Sequence, residues 1–436
     1  MCFTKWVPVY DYVPGSPGIE RIMRRYSVSN SVDATAAGIM AEVRQRGDAA
    51  LRKFGLKYDG VELDGLRVSE KEIALAYKQL SPDVLRALKR AYKNIRRVCE
   101  SQLSKLETWS IEVEPGVEVG EKWVPLESAG LYVPCGKGSF PSVMLMLAVP
   151  AKVAGVKRIV VCTPPQKQMD AATLVAADLI GNIEIYKAGG AGAIAAMAYG
   201  TETIPKVEKI TGPGSPYVVS AKKLASNDVA LGTPAGPSEI CVVADGKADA
   251  MVAAMEAVAE AEHGPDSSSV IVATSMQKAQ EITAEVESLV ATLPEKRRNF
   301  AKSAITNYGG IIVAKNTDAA LEIANEYAAE HLVLLVEDEL AALGKIRNAG
   351  AVFLGKYSSV VGGCYATGSN AILPTGGWAK SSSATSVRDF MKCYSFERLD
   401  EKGAKALVKD VVALAEYEGF PAHANAMRRF IGVKRG

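Results

Sequence analysis

Two short apolar runs, Glu239-Ile-Cys-Val-Val-Ala244 and Ser269-Val-Ile-Val-Ala273, flank a helical stretch from Ala248 to Glu262. Each run has the length of a buried strand, and the stretch between them is amphipathic and long enough for a helix. A strand, a helix and a second strand in this order are typical of a βαβ unit with parallel strands. This part of the sequence therefore predicts an α/β fold.

The same alternation continues on both sides of this segment. Further strand-like runs, separated by helical stretches, lie at 158–162, 183–187, 310–314, 332–336 and 351–354. Two such series predict two doubly wound, Rossmann-like domains with parallel sheets. The predicted parts are an N-terminal arm (1–30), a first domain with a helical N-terminal portion (31–125 with 239–381), a second domain (126–238) and a helical C-terminal tail (382–436). Alternating apolar residues between Trp109 and Pro125 predict a hairpin within the first domain.

Composition excludes several classes of protein. The 436 residues carry 51 Lys and Arg against 49 Asp and Glu, a net charge of +2 that argues against nucleic-acid binding through a basic field. Seven scattered cysteines form no CxxC pair, which indicates a reduced, cytoplasmic protein rather than a disulfide scaffold. The sequence has no signal-peptide pattern and no apolar run of membrane-spanning length, so we expect no membrane partner.

Glycine-rich turns mark possible ligand sites. Gly190-Ala-Gly192-Ala-Ile-Ala195 follows a strand and opens a helix, which formally matches a dinucleotide-binding turn. Small residues are also common where a helix crosses closely over a sheet, so the match alone leaves both interpretations open. Gly212-Pro-Gly214 and Gly236-Pro-Ser238 are further turns at predicted strand–helix junctions, and their clustering favours a ligand crevice.

The chain has three histidines, and two of them adjoin acidic residues. Glu260 and His263 share a helix face, as a metal-binding pair or a solvated ion pair would. Glu330 and His331 stand at the entry of an apolar strand, either as a general base with its neighbour or as a polar helix end.

The third histidine and one cysteine are further candidates. Glu418 and His423 belong to the C-terminal helical region and could equally be surface residues. Cys364 lies in a glycine-rich loop that could present its thiol, although a buried, inert cysteine is the usual alternative.

Together these segments resemble the histidinol dehydrogenase family. The similarity runs from about residue 30 to the C-terminus, in ordered motifs that include Gly130-Leu-Tyr-Val-Pro134, Gly189-Gly-Ala-Gly-Ala-Ile-Ala-Ala196, Gly212-Pro-Gly-Ser-Pro-Tyr-Val218, Ala235-Gly-Pro-Ser-Glu239, Ala261-Glu-His263, Ala329-Glu-His-Leu332, Gly368-Ser-Asn370 and Ala422-His423. The resemblance implies a zinc-binding, NAD-dependent homodimer that oxidises histidinol to histidine through an aldehyde.

The resemblance also implies a role for each candidate residue. Glu330 would activate the water that attacks the aldehyde, and His331 would be the general base. The implied zinc ligands are Glu260, His263, Cys364 and His423, the last supplied by the partner subunit's tail. The implied substrate contacts are Ser238 and Glu418, and the implied cofactor contacts are Tyr132, Gly192 and Ser215.

Five positions in and around the implied site depart from the family pattern. Glu260 replaces a glutamine ligand and Cys364 an aspartate ligand, although carboxylates and thiolates both bind zinc. Gly192 and Ser215 replace a glutamine and an asparagine, and Ala371 stands where a histidine is expected. We therefore expect the chemistry to be kept while ligand recognition is altered.

Three other functions fit the sequence. The first is a paralogue that oxidises another small polar primary alcohol, such as a sulfonated propanediol or an amino alcohol. The second is a thiol-dependent aldehyde dehydrogenase that uses Cys364 as nucleophile, and the third is a catalytically inactive binding protein. Zinc content and the yield of NADH per histidinol distinguish these possibilities.

Overall fold

The computed structural model describes residues 6–25, 30–135 and 138–432 of the chain. The ends of the predicted arm (1–5 and 26–29) and of the predicted tail (433–436) lie outside the described residues. The chain forms two compact units, the first from Met1–Ser101 with Leu126–Phe390 and the second from Gln102–Pro125 with Met391–Gly436.

The elements alternate along most of the chain. The strands are β1 (Val9–Asp11), β2 (Trp109–Glu114), β3 (Val117–Pro125), β4 (Ser128–Tyr132), β5 (Arg158–Thr163), β6 (Ile183–Lys187), β7 (Lys209–Thr211), β8 (Ala230–Leu231), β9 (Glu239–Ala244), β10 (Ser268–Ala273), β11 (Gly310–Val313), β12 (His331–Leu335), β13 (Ala351–Leu354) and β14 (Met391–Leu399). The α-helices are α1 (Pro17–Met23), α2 (Asn30–Arg46), α3 (Asp48–Phe54), α4 (Glu70–Gln79), α5 (Pro82–Leu103), α6 (Pro141–Ala154), α7 (Ala171–Ile180), α8 (Gly190–Tyr199), α9 (Pro216–Ala225), α10 (Ala250–Ala261), α11 (Met276–Thr292), α12 (Glu295–Tyr308), α13 (Thr317–Tyr327), α14 (Glu339–Leu343), α15 (Val360–Tyr365), α16 (Glu401–Tyr417) and α17 (Pro421–Arg428).

The first unit contains two parallel sheets. Their strand orders are β1-β11-β10-β9-β12-β13 and β6-β5-β4-β7-β8. Apart from the edge strand β1, each sheet has the doubly wound order in which the first strand lies next to the fourth. The predicted fold class is therefore confirmed, with a topological switch point between β9 and β12 and a second between β4 and β7.

Helices cover both faces of the six-stranded sheet. In β9, Ile240 and Val242 belong to one hydrophobic cluster, while Cys241 and Val243 belong to another. Successive side chains of a strand point to opposite faces, so a strand with a core on each side is apolar along its length. In β9 only the first residue, Glu239, departs from this. This explains why β9 appears in the sequence as a continuous apolar run.

The packing of the early helices differs from the predicted domain boundaries. Met40 of α2 and Leu51 of α3 join the hydrophobic cluster of Ile194 in α8 and Val160 in β5. These helices therefore cover the five-stranded sheet, although the sequence grouped 31–125 with 239–381. The helical spacing of α2 and α3 showed that each has an apolar face but not which sheet that face covers.

The predicted N-terminal arm contains a strand that the sequence did not predict. Val9–Asp11 pairs with Ile311–Val313 as the edge strand of the six-stranded sheet. A three-residue strand has too little periodicity to be recognised in sequence.

The second unit is built on an antiparallel sheet in the order β14-β3-β2. The hairpin predicted between Trp109 and Pro125 is confirmed as the pair β2–β3. Asp400 accepts a hydrogen bond from the Gly403 N–H and begins α16, as an N-cap aspartate does. Among the helices of the described residues, none is both long and apolar enough to cross a membrane.

Candidate active site

The candidate site lies at the amino ends of β9 and β12, which are neighbours at the switch point of the six-stranded sheet. Glu239 is the first residue of β9 and His331 the first of β12, and His331 pairs in register with Ile240. Glu260 reaches the same place from the last turn of α10. Two neighbouring strands and the helix that follows the first of them thus bring polar side chains to one edge of an apolar sheet.

Glu260, Glu330 and His331 form a compact buried group. One ligand atom from each lies within 4.8 Å of the other two. The Nδ1 atom of His331 is 3.8 Å from Oε2 of Glu260 and 3.7 Å from Oε2 of Glu330. Two carboxylates and an imidazole held together away from water are suited to proton transfer or to holding a cation.

The hydrogen bonds of His331 fix its orientation. Its Nδ1 atom lies 3.2 Å from the carbonyl oxygen of Glu239. Because a carbonyl only accepts, the proton of the neutral imidazole belongs on Nδ1, and Nε2 keeps its lone pair. Nε2 is buried and has no hydrogen-bond partner within the described part of the chain. The imidazole is therefore arranged as a base that acts through Nε2.

Glu330 is held by the same backbone. Its Oε2 atom accepts a hydrogen bond of 2.9 Å from the Glu239 N–H. Burial raises the pKa of Glu330 well above its usual range, and the negative charges of Glu260 and Glu239 raise it further, while that hydrogen bond opposes the rise. A carboxylate with a raised pKa is a stronger base than an exposed one.

Glu239 connects several parts of the site, and the sequence did not assign it a role. Its Oε1 atom accepts a hydrogen bond of 2.8 Å from the Gly376 N–H and lies 2.8 Å from Nε of Arg25. Burial raises the pKa of Glu239, and the charge of Arg25 lowers it. The sequence contains one indication of a role for Glu239, because a charged residue is unusual in an otherwise apolar, buried strand.

Two predicted zinc ligands lie around this group but outside it. His263 follows α10, with Nδ1 3.4 Å from Oε1 of Glu260 and a side chain that is 45% exposed. Cys364 lies in α15, where burial raises the pKa of its thiol and the charges of Glu260 and Glu330 raise it further. Among the described residues, the closest set of ligand atoms thus joins Glu260 to Glu330 and His331, rather than to His263 and Cys364.

The predicted substrate contacts lie in different units. Ser238 is partly buried directly before β9, and its carbonyl oxygen accepts a hydrogen bond from the Ser268 N–H at 2.9 Å. Glu418 and His423 are exposed residues of the second unit, at the end of α16 and in α17. The ring centroid of His423 lies 5.1 Å from that of Phe420, with the two planes tilted by 40°.

The three predicted cofactor residues surround the beginning of α8, at the carboxyl ends of the five-stranded sheet. The hydroxyl of Tyr132, the last residue of β4, accepts a hydrogen bond of 3.1 Å from the Gly190 N–H. Gly192 and Ser215 line a cavity of about 310 Å³ together with Gly190 and Asp59. Burial raises the pKa of Asp59 to about 6. A helix N-terminus facing a cavity at a switch point is a usual place for a dinucleotide phosphate.

Fold and site together define an α/β protein with a buried acid–imidazole centre. A family model described as histidinol dehydrogenase matches residues 22–430. The chain is 45% identical over 399 residues to the histidinol dehydrogenase of Synechocystis sp., covering 91% of this chain and 92% of that protein. It is 41% identical over 418 residues to the histidinol dehydrogenase of Methanosarcina mazei, covering 95% and 96%.

A solved structure agrees with the sequence comparisons. The crystal structure of histidinol dehydrogenase from Elizabethkingia anophelis has a TM-score of 0.93 and 35% identity, and the alignment covers 98% of both chains. The chain belongs to the histidinol dehydrogenase family, which consists of oxidoreductases, and the resemblance of the sequence motifs is confirmed.

Proposed function

We propose that the protein oxidises L-histidinol to L-histidine in two NAD-dependent steps through the aldehyde, as a step of histidine biosynthesis. The observation that carries the proposal is the buried group of Glu260, Glu330 and His331, in which Nε2 of His331 has no hydrogen-bond partner among the described residues. Relatives that are 41–45% identical over more than nine-tenths of their length bear the name histidinol dehydrogenase. That support favours histidinol over another small polar alcohol.

His331 is proposed as the base for both oxidations. An alcohol must lose its hydroxyl proton as hydride leaves the carbon, and Nε2 is the atom placed to take that proton. The bond from Nδ1 to the Glu239 carbonyl stabilises the imidazolium that forms, since the carbonyl dipole faces the added charge. Burial keeps bulk water from the proton-transfer path.

Glu330 is proposed to activate water in the second half of the reaction. The aldehyde must add water before it can lose a second hydride, and a buried carboxylate with a raised pKa can remove the proton of that water. The Glu239 N–H holds the carboxylate in place while it gains and loses this proton. Glu330 and His331 are adjacent in sequence, so one strand entry presents both bases to one substrate carbon.

The donor set fits zinc. Carboxylate oxygen, imidazole nitrogen and thiolate sulfur are all zinc ligands, and Glu260, His263, Cys364 and His423 would hold the ion. Zinc, when bound, anchors the polar end of the substrate and neutralises the carboxylates around it. A positive ion also fits this site because Glu260 and Glu330 are buried within 4.8 Å of one imidazole nitrogen.

The cavity at α8 is the proposed site for the phosphate and ribose groups of NAD. The first turn of α8 and the Ser215 hydroxyl, which caps no N–H of α9, line this cavity and would meet phosphate and ribose oxygens. NAD, when bound, accepts the hydride in each step. Tyr132 holds the first turn of α8 through the Gly190 N–H, so its role is to shape the phosphate turn.

A homodimer is proposed to complete the site. In this arrangement His423 and Glu418 of the tail serve the partner subunit, as zinc ligand and substrate contact. Large apolar side chains support a contact surface there, since Tyr417 and Phe420 beside these residues are exposed. A dimer of this kind would be expected in the cytoplasm with the other enzymes of amino-acid synthesis.

The experiment combines metal analysis with reaction stoichiometry. We expect about one zinc per chain and two NADH per L-histidinol, with L-histidine as the product. No turnover of histidinol by zinc-loaded protein would contradict the proposed substrate, and a panel of small polar alcohols would then test the paralogue. Turnover without zinc that is abolished by alkylation of Cys364 would instead identify a thiol-dependent aldehyde dehydrogenase.

A further inference from the structure

Arg25 contacts both chain segments that carry the catalytic candidates, although it lies far from them in sequence. Its Nε atom is 2.8 Å from Oε1 of Glu239 at the start of β9. Its Nη2 atom donates to the carbonyl oxygens of Tyr327 and Ala328, the second at 3.4 Å, where α13 ends before β12. One guanidinium therefore ties the entry of β9 to the entry of β12.

The segment held by Arg25 turns between α13 and β12, where Ala328 N–H donates to the Ala324 carbonyl and Gly350 N–H to the Ala329 carbonyl. Ala328 adopts φ 52° and ψ 61°, a left-handed conformation that residues other than glycine rarely adopt. Two residues later the chain reaches Glu330. The guanidinium also lies over the ring of Tyr327, 4.0 Å from its centroid, so its plane is fixed by stacking as well as by hydrogen bonds.

Glu239 links Arg25 to the two bases, because its side chain contacts Arg25 and its backbone contacts Glu330 and His331. Its N–H donates to Glu330 and its carbonyl accepts from His331, whereas its side chain is fixed by Arg25 and the Gly376 N–H. A displacement of Glu239 would move the N–H and carbonyl groups that orient both bases. Small displacements of this kind are costly, because proton transfer requires a correct heavy-atom distance.

We infer that Arg25 is a positioning residue: through Glu239 and the Tyr327–Ala328 carbonyls it holds Glu330 and His331 in their reactive geometry. Lysine cannot replace it fully, since the planar guanidinium serves a carboxylate and two carbonyls at once. The inference rests on the proposed function for its kinetic test but not for its spectroscopic one.

The kinetic test compares Arg25→Met, Arg25→Lys, Glu239→Gln and the double variant Arg25→Met/Glu239→Gln in the zinc-loaded enzyme. Arg25→Met should lower kcat for histidinol by about 10–100-fold, with KM changed less than about threefold, as loss of an outer contact to a catalytic group does. Arg25→Lys should recover part of this loss. The double variant should be no slower than the slower single variant, because the two residues act in one path. Arg24→Met is the matched control, since Arg24 is the exposed neighbour.

The spectroscopic test needs no turnover. The chain has three histidines, so ¹⁵N-histidine labelling gives three imidazoles, and His331→Asn assigns one of them. Wild-type protein should show His331 protonated at Nδ1, and Arg25→Met should convert this to a mixture of tautomers while Arg24→Met does not. An unchanged His331 signal in folded Arg25→Met, or losses that multiply in the double variant, would overturn the inference. Wild-type protein that gives the expected signal but does not oxidise histidinol would contradict the proposed function alone.

Discussion

The carbonyl oxygen of Glu239 lies 3.2 Å from Nδ1 of His331, and this contact decides which imidazole nitrogen can act as a base. The N–H of Glu239 donates to Oε2 of Glu330 at 2.9 Å. The first residue of one strand thus orients an acid and an imidazole at the entry of the neighbouring strand. Such an arrangement follows from parallel pairing, since the starts of β9 and β12 lie side by side.

Removal of His331 should affect both oxidation steps, whereas removal of Glu330 should affect only the second. His331→Asn should slow both hydride transfers by about 10²–10⁴-fold, the usual contribution of a general base. Glu330→Gln should spare the first NADH and slow the second by a similar factor, because only the aldehyde step needs activated water. Rapid mixing of enzyme, NAD and histidinol, with NADH followed by absorbance, separates the two phases.

A matched control variant distinguishes these effects from a general loss of folded enzyme. Glu326→Gln changes an exposed glutamate of α13 one turn before Glu330 and should leave both phases unchanged. Equal slowing of both phases by Glu330→Gln would contradict the assignment of Glu330 to water activation.

Zinc binding by the free protein should depend on pH through Cys364. Burial and the nearby charges of Glu260 and Glu330 raise the pKa of the thiol, so a proton competes with zinc at neutral pH. Affinity should therefore increase with pH, by about tenfold per pH unit for one released proton. Competition with a chromophoric chelator between pH 6 and 8 measures the slope.

Two substitutions at Cys364 sharpen this test. Cys364→Asp should keep zinc and flatten the slope, because an aspartate ionises at lower pH. Cys364→Ser should lose much of the zinc. Retention of zinc by Cys364→Ser with an unchanged slope would show that the thiol is not a ligand.

Lys222 should limit the stability of the fold at neutral pH. It is buried in α9, where Nζ donates to the Gly212 carbonyl at 2.9 Å, and burial lowers its pKa to about 8. Below pH 8 both the folded and the unfolded chain hold the proton, and the full cost of burying the charge applies. Between about 8 and 10.5 the folded chain loses the proton first, so stability rises with pH across this window.

Lys222→Met should accordingly raise the free energy of unfolding at pH 7 by about 1–3 kcal/mol, and the gain should shrink towards pH 10. Urea unfolding at several pH values measures both. Lys223→Met, next to it on the exposed side, should change little. A gain that persists at pH 10 would mean that the charge of Lys222 is not the cause.

The sequence predicted the fold class and two of the three members of the buried group as catalytic residues, because strands, helices and Glu-His pairs have local patterns. Glu260 was predicted as a ligand, but its approach to His331 depends on how α10 crosses the sheet. Arg25 and Glu239 were not predicted as partners, since their contact joins positions more than two hundred residues apart. Long-range ion pairs of this kind have no local pattern, so only the folded chain identifies them.

The sequence could not predict which sheet α2 and α3 cover, for a similar reason. Their apolar faces would fit either sheet, and the choice depends on α8, whose alanines and Gly192 allow close approach. A Cβ at Gly192 would lie 3.4 Å from Leu51 Cδ2 and 3.7 Å from Phe54 Cδ2. The glycine thus leaves room beside α3 at the edge of the cavity at α8.

A side chain at position 192 should therefore alter the cavity beside α8. Gly192→Gln introduces the residue type that the sequence resemblance implies for this position, and its Cβ would meet only ordinary van der Waals neighbours. The amide would enter the cavity that Ser215 also lines and could hydrogen-bond the cofactor. We expect KM for NAD to fall by about threefold to tenfold, as one added neutral hydrogen bond allows, with KM for histidinol unchanged. Steady-state kinetics with each substrate varied in turn measures both constants. An unchanged or higher KM for NAD in a folded Gly192→Gln variant would place the cofactor elsewhere on the sheet edge.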